Sequence, residues 1–205
     1  MVGLYIEGGG DSKDLHIEYR RAFSAFLEKA GLRGGAIRPR PCGSRNKAYD
    51  RFCTAIEQGQ KAFLLVDSES PVDAALASGQ PENWQPWEHL HRCDGWTKPS
   101  SSFDTDCHLM VQIMESWFLA DKETLSVFFG QGFQKTALPA QKAVETVGKE
   151  EVFRGLEQAS RKCKTKAPYK KGPHSFKILA LIDPQKVCNV SPWAKRFISI
   201  LLEHC

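Results

Sequence analysis

The sequence lacks the features that would place it at once in several common classes of protein. No run of about 18 consecutive apolar residues occurs, so no membrane-spanning helix is expected. The seven cysteines are odd in number and include no Cys-x-x-Cys pair, and no signal peptide opens the sequence, so we expect reduced thiols in a cytoplasmic protein. There is no G-x-x-x-x-G-K-S/T phosphate loop, and Gly8–Gly10 lacks the G-x-G-x-x-G spacing of a dinucleotide-binding turn. The chain itself is therefore not expected to hydrolyse ATP.

The composition does provide enough apolar sequence for a folded protein. Of 205 residues, 41% are hydrophobic and 25% are charged, which is typical of a globular chain and not of a disordered one. The formal net charge of +4, from 28 basic and 24 acidic residues, is too small to identify a nucleic-acid-binding protein by itself. The distribution of charge is more informative, because residues 161–171 hold six basic residues and no acidic one, and residues 33–51 hold a second basic cluster.

These two basic clusters suit a polyanionic partner, because contacts to phosphate dominate the affinity of proteins for nucleic acids. An equally good interpretation of either cluster alone is a solvated loop or helix face. The residues predicted to bind nucleic acid are Arg40, Arg45, Lys47, Lys170 and Lys171.

Short apolar runs alternate with amphipathic segments in the first 70 residues. Residues 2–6 and 62–66 are typical of buried strands, and residues 36–41 predict a strand at the edge of the sheet, where its prolines are tolerated. Helical spacing of apolar residues separates these strands. The order strand, helix, strand, helix, strand predicts an α/β fold with a parallel sheet and right-handed crossovers.

The remainder of the chain is less regular at first and then mostly helical. Residues 70–106, rich in Pro, Ser, Trp and His, predict an irregular insertion with a short helix around Ala74–Ala77. Residues 107–113 predict a fourth strand. The apolar spacing then predicts one helix or two short ones at 114–129, and further helices at about 139–148, 150–161, 174–182 and 192–203.

Acidic residues follow two of the predicted strands directly. Glu7 comes after the first strand, and Asp67 and Glu69 come after the third, where their spacing of two places both on one face of extended backbone. Ligands of open α/β sheets bind at the carboxyl ends of the strands, so the three carboxylates should converge if these strands are neighbours. Asp11, at the mouth of the glycine turn, is a fourth candidate.

Carboxylates of this kind predict a metal site. Hard oxygen ligands suit Mg²⁺ or Mn²⁺, and four carboxylates leave room for one or two ions, as in two-metal nucleases. The alternative is that an Asp after a strand only caps a helix or forms a turn, which is common for a single residue such as Asp67. Glu115, just after the fourth predicted strand, is a further candidate ligand.

Phosphodiester hydrolysis also needs positive charge near the reacting phosphate. The basic segment with Lys170, Lys171, His174 and Lys177 is the predicted source, and His174 and Lys177 are three apart on one helix face. A surface basic loop is the alternative for each lysine.

The joint pattern of strand-Glu-Gly-Gly-Gly-Asp and strand-Asp-x-Glu resembles the Toprim domain of topoisomerases, bacterial primases and overcoming-lysogenization-defect (OLD) nucleases. By position, Glu7 corresponds to the first acid of the Toprim signature and Asp67 to the second. Glu69 stands where Asp is commoner, and Asp11 resembles an extra acid of the nuclease branch. The nucleases also use a lysine after the acidic motif, which implies a role for Lys171 or Lys177.

Two further segments, Gln112–Asp121 and His174–Leu179, resemble a bacterial family of uncharacterised Toprim-like proteins that occur beside ATPase genes in phage-defence loci. This resemblance implies a Toprim-like core over residues 1–125, interrupted by the insertion at about 70–106. It also implies that residues 126–205 form a helical extension packed on that core.

The predicted function is metal-dependent cleavage of phosphodiester bonds in DNA or RNA. The resemblance implies a role in anti-phage defence, together with a separate ATPase subunit that would gate a toxic nuclease. One alternative is a non-catalytic binding or regulatory subunit that keeps the fold and docks to a partner. A second is a phosphotransferase or primase-like activity.

Overall fold

The structure is a computed structural model that describes residues 2–10, 12–32, 34–140, 143–172 and 174–204. It contains a four-stranded sheet in which all neighbouring strands are parallel, flanked by helices and followed by a helical C-terminal region. The predicted α/β class is therefore confirmed. Within the described part of the chain, no helix is long and apolar enough to cross a membrane.

The strands are β1 (Val2–Ile6), β2 (Ile37–Pro41), β3 (Ala62–Asp67) and β4 (Cys107–Met110), in the order β2-β1-β3-β4. All six residues of β3 are buried, as expected for a strand covered on both faces. β4 ends earlier than the predicted strand at 107–113. Its continuation is interrupted because Gln112 adopts a left-handed backbone conformation (φ 64°) that no regular strand allows.

Helices α1 (Lys13–Lys29) and α2 (Arg45–Glu57) connect the first three strands. Each begins after a serine whose side chain accepts a hydrogen bond from a backbone N–H of the first turn: Ser12 Oγ from Leu15 N, and Ser44 Oγ from Lys47 N. The apolar residues of α1 and α2 belong to two separate hydrophobic clusters, so the helices cover opposite faces of the sheet.

This topology creates a crevice at the carboxyl ends of β1 and β3. The crossover through α1 leads from β1 to β2 on one side, and the crossover through α2 leads back to β3 on the other. The strand order therefore reverses between β1 and β3, and in open α/β sheets such a reversal point is where ligands bind.

The insertion between β3 and β4 is more helical than its sequence predicts. The short helix expected around Ala74–Ala77 is present as a 3-10 helix. A nine-residue helix, α3 (Pro86–Asp94), was not predicted, because so short a segment shows little apolar periodicity. Two further 3-10 helices lie at Pro81–Asn83 and Asp104–Asp106.

The C-terminal part begins with a 3-10 helix at Met114–Asp121, in which all eight residues are buried. It continues with α4 (Lys122–Phe129), α5 (Lys149–Ser160), α6 (Ser175–Leu181), α7 (Pro184–Val190) and α8 (Pro192–Leu202). Residues from these helices share one hydrophobic cluster with β1 and α1.

The C-terminal helices differ in two places from those that the sequence predicts. The helix predicted at 139–148 is wrong in its described part, where a 3-10 turn at Val144–Thr146 stands between Pro139 and Gly148. The short helix α7 was missed. The domain boundary predicted at residue 125 remains a prediction, and it falls within α4.

Candidate functional site

Glu7 and Asp67 lie side by side at the crevice between β1 and β3. Ile6 is paired with Leu65 in the sheet, so the residues that follow these strands leave it together. The Glu7 backbone N–H donates to the Leu65 carbonyl at 3.0 Å, and the Asp67 N–H donates to Glu7 Oε2 at 3.1 Å. Asp67 Oδ1 accepts a hydrogen bond from Met114 N at 2.8 Å. The expected convergence of these two acids is thus present.

Glu69 completes a group of three carboxylates. One oxygen from each of Glu7, Asp67 and Glu69 lies within 4.8 Å of the other two. The Glu69 backbone is left-handed (φ 60°), and its N–H donates to the carbonyl of the equally left-handed Gln112 at 3.0 Å. A non-glycine residue in this conformation is unusual and stores some strain. The Glu69 carboxylate is exposed and forms an ion pair with Lys149 of α5.

Arg45, at the start of α2, contacts four residues around the site. Its Nε and Nη2 donate to Asp94 Oδ1 and Oδ2 at 2.9 and 2.6 Å, which is a bidentate pair. Its Nη1 lies 3.3 Å from Glu7 Oε2 and also donates to the Asp67 carbonyl. Its guanidinium carbon lies 5.0 Å from the centre of the Trp96 ring. The sequence predicted a phosphate-binding role for Arg45, but the structure engages this side chain with protein groups.

The buried 3-10 helix Met114–Asp121 contributes a further acid, Glu115, to the same crevice as Glu7 and Asp67. Glu115 is 1% exposed. Its Oε1 lies 3.2 Å from the Tyr169 hydroxyl and 3.1 Å from the Ser175 hydroxyl, which donate to it. Its Oε2 is buried and has no hydrogen-bond partner among the residues that the structure describes. A buried carboxylate oxygen left without a donor is costly, so this atom needs an explanation.

A cavity of about 340 Å³ contains Glu7, Asp67 and Glu115. Lys171 also lines it, as do the glycine turn, Gly172 and Ser175, and its apolar wall is made by Leu15, Tyr19, Met114 and Phe176. The Tyr19 hydroxyl donates to the Glu7 carbonyl at 2.9 Å, which holds the turn against α1. The described lining of the cavity therefore combines three acids, one lysine and an apolar wall.

The glycine turn is required by this geometry. Gly8 and Gly43 exchange two backbone hydrogen bonds of 2.8 Å, with Gly8 at a φ of 109°. A side chain at Gly9 would be strained, because its φ of 89° is one that L residues rarely adopt and a Cβ atom would lie 3.0 Å from the Pro41 side chain and 3.1 Å from that of His16. Glycine is the residue that adopts this conformation without such strain.

The other predicted phosphate-binding groups of the C-terminal segment lie elsewhere. The His174 ring packs against Phe128 and Phe129, and its Nδ1 accepts a hydrogen bond from Lys170 N at 3.2 Å. Burial, followed by the lysines around it, lowers the pKa of His174, which favours the neutral ring. Lys170 and Lys177 are exposed and do not line the cavity.

The predicted nucleic-acid-binding residues of the first cluster are also spread out. Arg40 donates to the Tyr5 hydroxyl at 3.1 Å and lies over that ring, on the β2 side of the sheet. Lys47 is exposed in the first turn of α2. Of the predicted basic residues, Lys171 is the one that lines the cavity. Asp11, predicted as a metal ligand, lies outside the described residues.

The electrostatics of the cavity are unfavourable to its acids. Burial raises the pKa of Asp67 well above its ordinary value, and the Glu7 and Glu115 carboxylates raise it further, while Lys171 lowers it. Burial also raises the pKa of Glu7, and Arg45 partly offsets this effect. A positive charge placed among these groups would favour their ionised forms.

Sequence reasoning missed five contacts of the site: Asp94 and Trp96 with Arg45, Lys149 with Glu69, and Tyr169 and Ser175 with Glu115. Most of these contacts join segments far apart in the chain that have little periodicity of their own. Ser175 lies in the segment His174–Leu179 that carries the family resemblance, but its contact with Glu115 was not predicted.

Comparison with known proteins assigns a family without a function. A family model described as a domain of unknown function (DUF4276) matches residues 6–202. That range includes Glu7, Asp67, Glu69, Glu115 and Lys171. No curated protein and no solved structure matches the chain.

Proposed function

The chain belongs to the DUF4276 family, and we propose that it is a metal-dependent hydrolase of phosphodiester bonds in nucleic acids. The observation that carries the proposal is the cavity at the β1–β3 crevice, where Glu7, Asp67 and Glu115 surround one space that Lys171 also lines. The resemblance of the acidic pattern to Toprim nucleases supports the same conclusion, and a Toprim-like relationship of the fold is part of the proposal.

The residues present fit a divalent cation. Glu7, Asp67 and Glu69 offer oxygens within 4.8 Å of one another, and Glu115 Oε2 is a buried acceptor to which no group in the described ranges donates. A set made only of carboxylate oxygens suits Mg²⁺ or Mn²⁺ and does not suit zinc, which prefers nitrogen and sulfur. We propose Glu7, Asp67 and Glu115 as the main ligands, with Glu69 at the outer edge of the site.

When bound, the cation would supply Lewis-acid polarisation of the phosphate and lower the pKa of a bound water. The other roles fall to groups of the chain. Lys171 would neutralise the charge that develops on the phosphate, since it is the predicted cation that lines the cavity. Tyr169 and Ser175 hold the Glu115 carboxylate in place from behind. Arg45 fixes Glu7 and the end of β3.

The biological setting is proposed from the resemblance alone. We propose a cytoplasmic role in anti-phage defence, in which a separate ATPase subunit gates the nuclease. A gated enzyme would be weakly active in isolation, so assays need the partner as well as the chain.

The test is Mn²⁺-dependent hydrolysis of linear single strands, plasmid and tRNA, with and without the proposed ATPase subunit. Glu7→Gln should abolish cleavage, because it removes one ligand charge while keeping the size of the side chain. Glu18→Gln, which changes an exposed carboxylate on α1, is the matched control and should cleave like the wild type. Equal cleavage by wild type and Glu7→Gln would contradict the proposed site.

A second candidate is a non-catalytic binding or regulatory subunit. The ion pairs Arg45–Glu7 and Lys149–Glu69 favour it, because they already balance part of the acidic charge without any metal. Absence of cleavage for every substrate, with or without the ATPase, combined with absence of Mn²⁺ binding, would favour this candidate.

A further inference from the structure

The acids of the cavity lie at its floor and not on an open surface. Asp67 is 6% exposed and Glu115 is 1% exposed. The space above them is about 340 Å³, at the lower end of the range of about 300–1,000 Å³ that is usual for small-ligand sites. A substrate therefore has to enter the cavity to reach the acids.

The walls of the cavity have two characters. Leu15 and Phe176 form an apolar side together with Tyr19, whose ring centre lies 4.7 Å from that of Phe176. Lys171 and the glycine turn form a polar side. This pairing matches a group that carries a phosphate at one end and a flat, largely apolar body at the other.

From this geometry we infer that the site accepts one unpaired nucleotide, and not the interior of a duplex. The inference rests on the proposed function and specifies its substrate class. The phosphate would face the acids and Lys171, and the base or sugar would lie against Leu15 and Phe176. A paired base could enter only after unstacking and unpairing, a cost that a single-stranded end or a free nucleotide ester does not have.

The reaction remains a hydrolysis and needs no co-reactant other than water. The water oxygen forms the new bond to phosphorus, the bond from phosphorus to the leaving oxygen breaks, and the leaving oxygen takes up a proton. A strand end and a free nucleotide diester share this chemistry, so substrates must distinguish them.

The experiment compares a linear single-stranded DNA, the same strand circularised, a closed duplex plasmid and thymidine 5′-(p-nitrophenyl phosphate), all with Mn²⁺ and the ATPase partner. Mn²⁺ affinity is measured separately by calorimetry. We expect the linear strand to be degraded at least about 100-fold faster than the duplex plasmid. Faster turnover of the small diester than of the linear strand would identify free nucleotides as the source. The reverse would identify single strands, and the rate on the circle would then show whether a free end is needed; each of these results supports the inference.

Two outcomes contradict it in distinguishable ways. Cleavage of the plasmid at the rate of the linear strand would overturn the inference and leave the proposed function standing. Absence of hydrolysis of all four substrates together with absence of Mn²⁺ binding would overturn both.

A variant of the apolar wall provides an independent check. Leu15, 37% exposed at the start of α1, lines the cavity, and Ile17, 43% exposed on the same helix, does not. Leu15→Ala should raise KM for the linear strand roughly tenfold, with kcat and Mn²⁺ affinity unchanged, because it removes binding that is common to substrate and transition state. Ile17→Ala should match the wild type. An unchanged KM for Leu15→Ala would overturn the placement of the nucleoside.

Discussion

The acidic residues at the crevice fall into two groups that the protein treats differently. The carboxylates of the inner pair, Asp67 and Glu115, are buried, and within the described part of the chain their donors are neutral, namely a backbone N–H and two hydroxyls. The outer carboxylate, Glu69, is exposed and forms an ion pair with Lys149. Glu7 stands between them and is held by Arg45.

The difference indicates what each group is suited to do. An exposed ion pair such as Glu69–Lys149 contributes little to stability, and its charges are already balanced without a metal ion. Two buried carboxylates that form no ion pair with any described residue destabilise the fold, and such arrangements concentrate at functional sites. A bound cation would therefore stabilise the inner pair more than the outer carboxylate, and substitutions at the two positions should differ accordingly.

The largest effect is expected for Asp67→Asn. This substitution should abolish hydrolysis and weaken Mn²⁺ binding by roughly 100-fold or more. Mutation of a residue that only hydrogen-bonds to a metal ligand already lowers metal affinity by about 10–100-fold, and Asp67 is proposed as a ligand itself. Calorimetric titration with Mn²⁺ measures the affinity. Binding equal to that of the wild type would show that Asp67 is not a ligand.

Glu115→Gln separates the inner pair from the outer carboxylate. The amide keeps an oxygen for Tyr169 and Ser175 but removes the charge, so Mn²⁺ affinity should fall by about 10–100-fold. Glu69→Gln is the matched control and should change the affinity by less than about fivefold, because its charge is exposed and already paired. If Glu69→Gln has the larger effect, the assignment of inner and outer roles is wrong.

Arg45→Lys tests whether the brace around Glu7 positions the site. Lysine keeps the charge but cannot make the bidentate pair with Asp94 and reach Glu7 as well. We expect Mn²⁺ affinity to fall by roughly threefold to tenfold, with a matching loss in kcat. Arg20→Lys, at an exposed position of α1, should be neutral. If Arg45→Lys leaves both Mn²⁺ affinity and kcat unchanged, Arg45 does not position the site and has only a structural role.

The smallest effect concerns stability and pH. The raised pKa of Asp67 means that the folded chain binds more protons than the unfolded chain above the ordinary value of 3.8. Stability of the metal-free protein should therefore fall as pH rises through the window between that value and the raised pKa. Asp67→Asn should remove part of this slope and raise Tm at neutral pH by about 2–4 °C. Thermal unfolding between pH 4 and 8 measures both, and a steeper slope or a lower Tm in the variant would contradict the prediction.

The sequence predicted one part of the site well and the other poorly, for a physical reason. Glu7 and Asp67 follow short apolar strands directly, and parallel strands end at one edge of the sheet, so their meeting follows from local pattern and topology. The partners of Glu115 and Glu69 lie 54 and 80 residues away along the chain. Such contacts depend on how irregular segments pack, which periodicity does not encode. The same limit explains the missed helices α3 and α7 and the wrong helix at 139–148.

The central claim is that the cavity formed by Glu7, Asp67 and Glu115 binds a divalent cation. The most direct test is the anomalous scattering of Mn²⁺ in crystals of the protein soaked with that ion. The account predicts a peak at about 2.1 Å from oxygens of Glu7, Asp67 and Glu115, with Glu115 Oε2 among the ligands. A peak confined to Glu69, or a cavity without any peak at a saturating concentration of Mn²⁺, would contradict it.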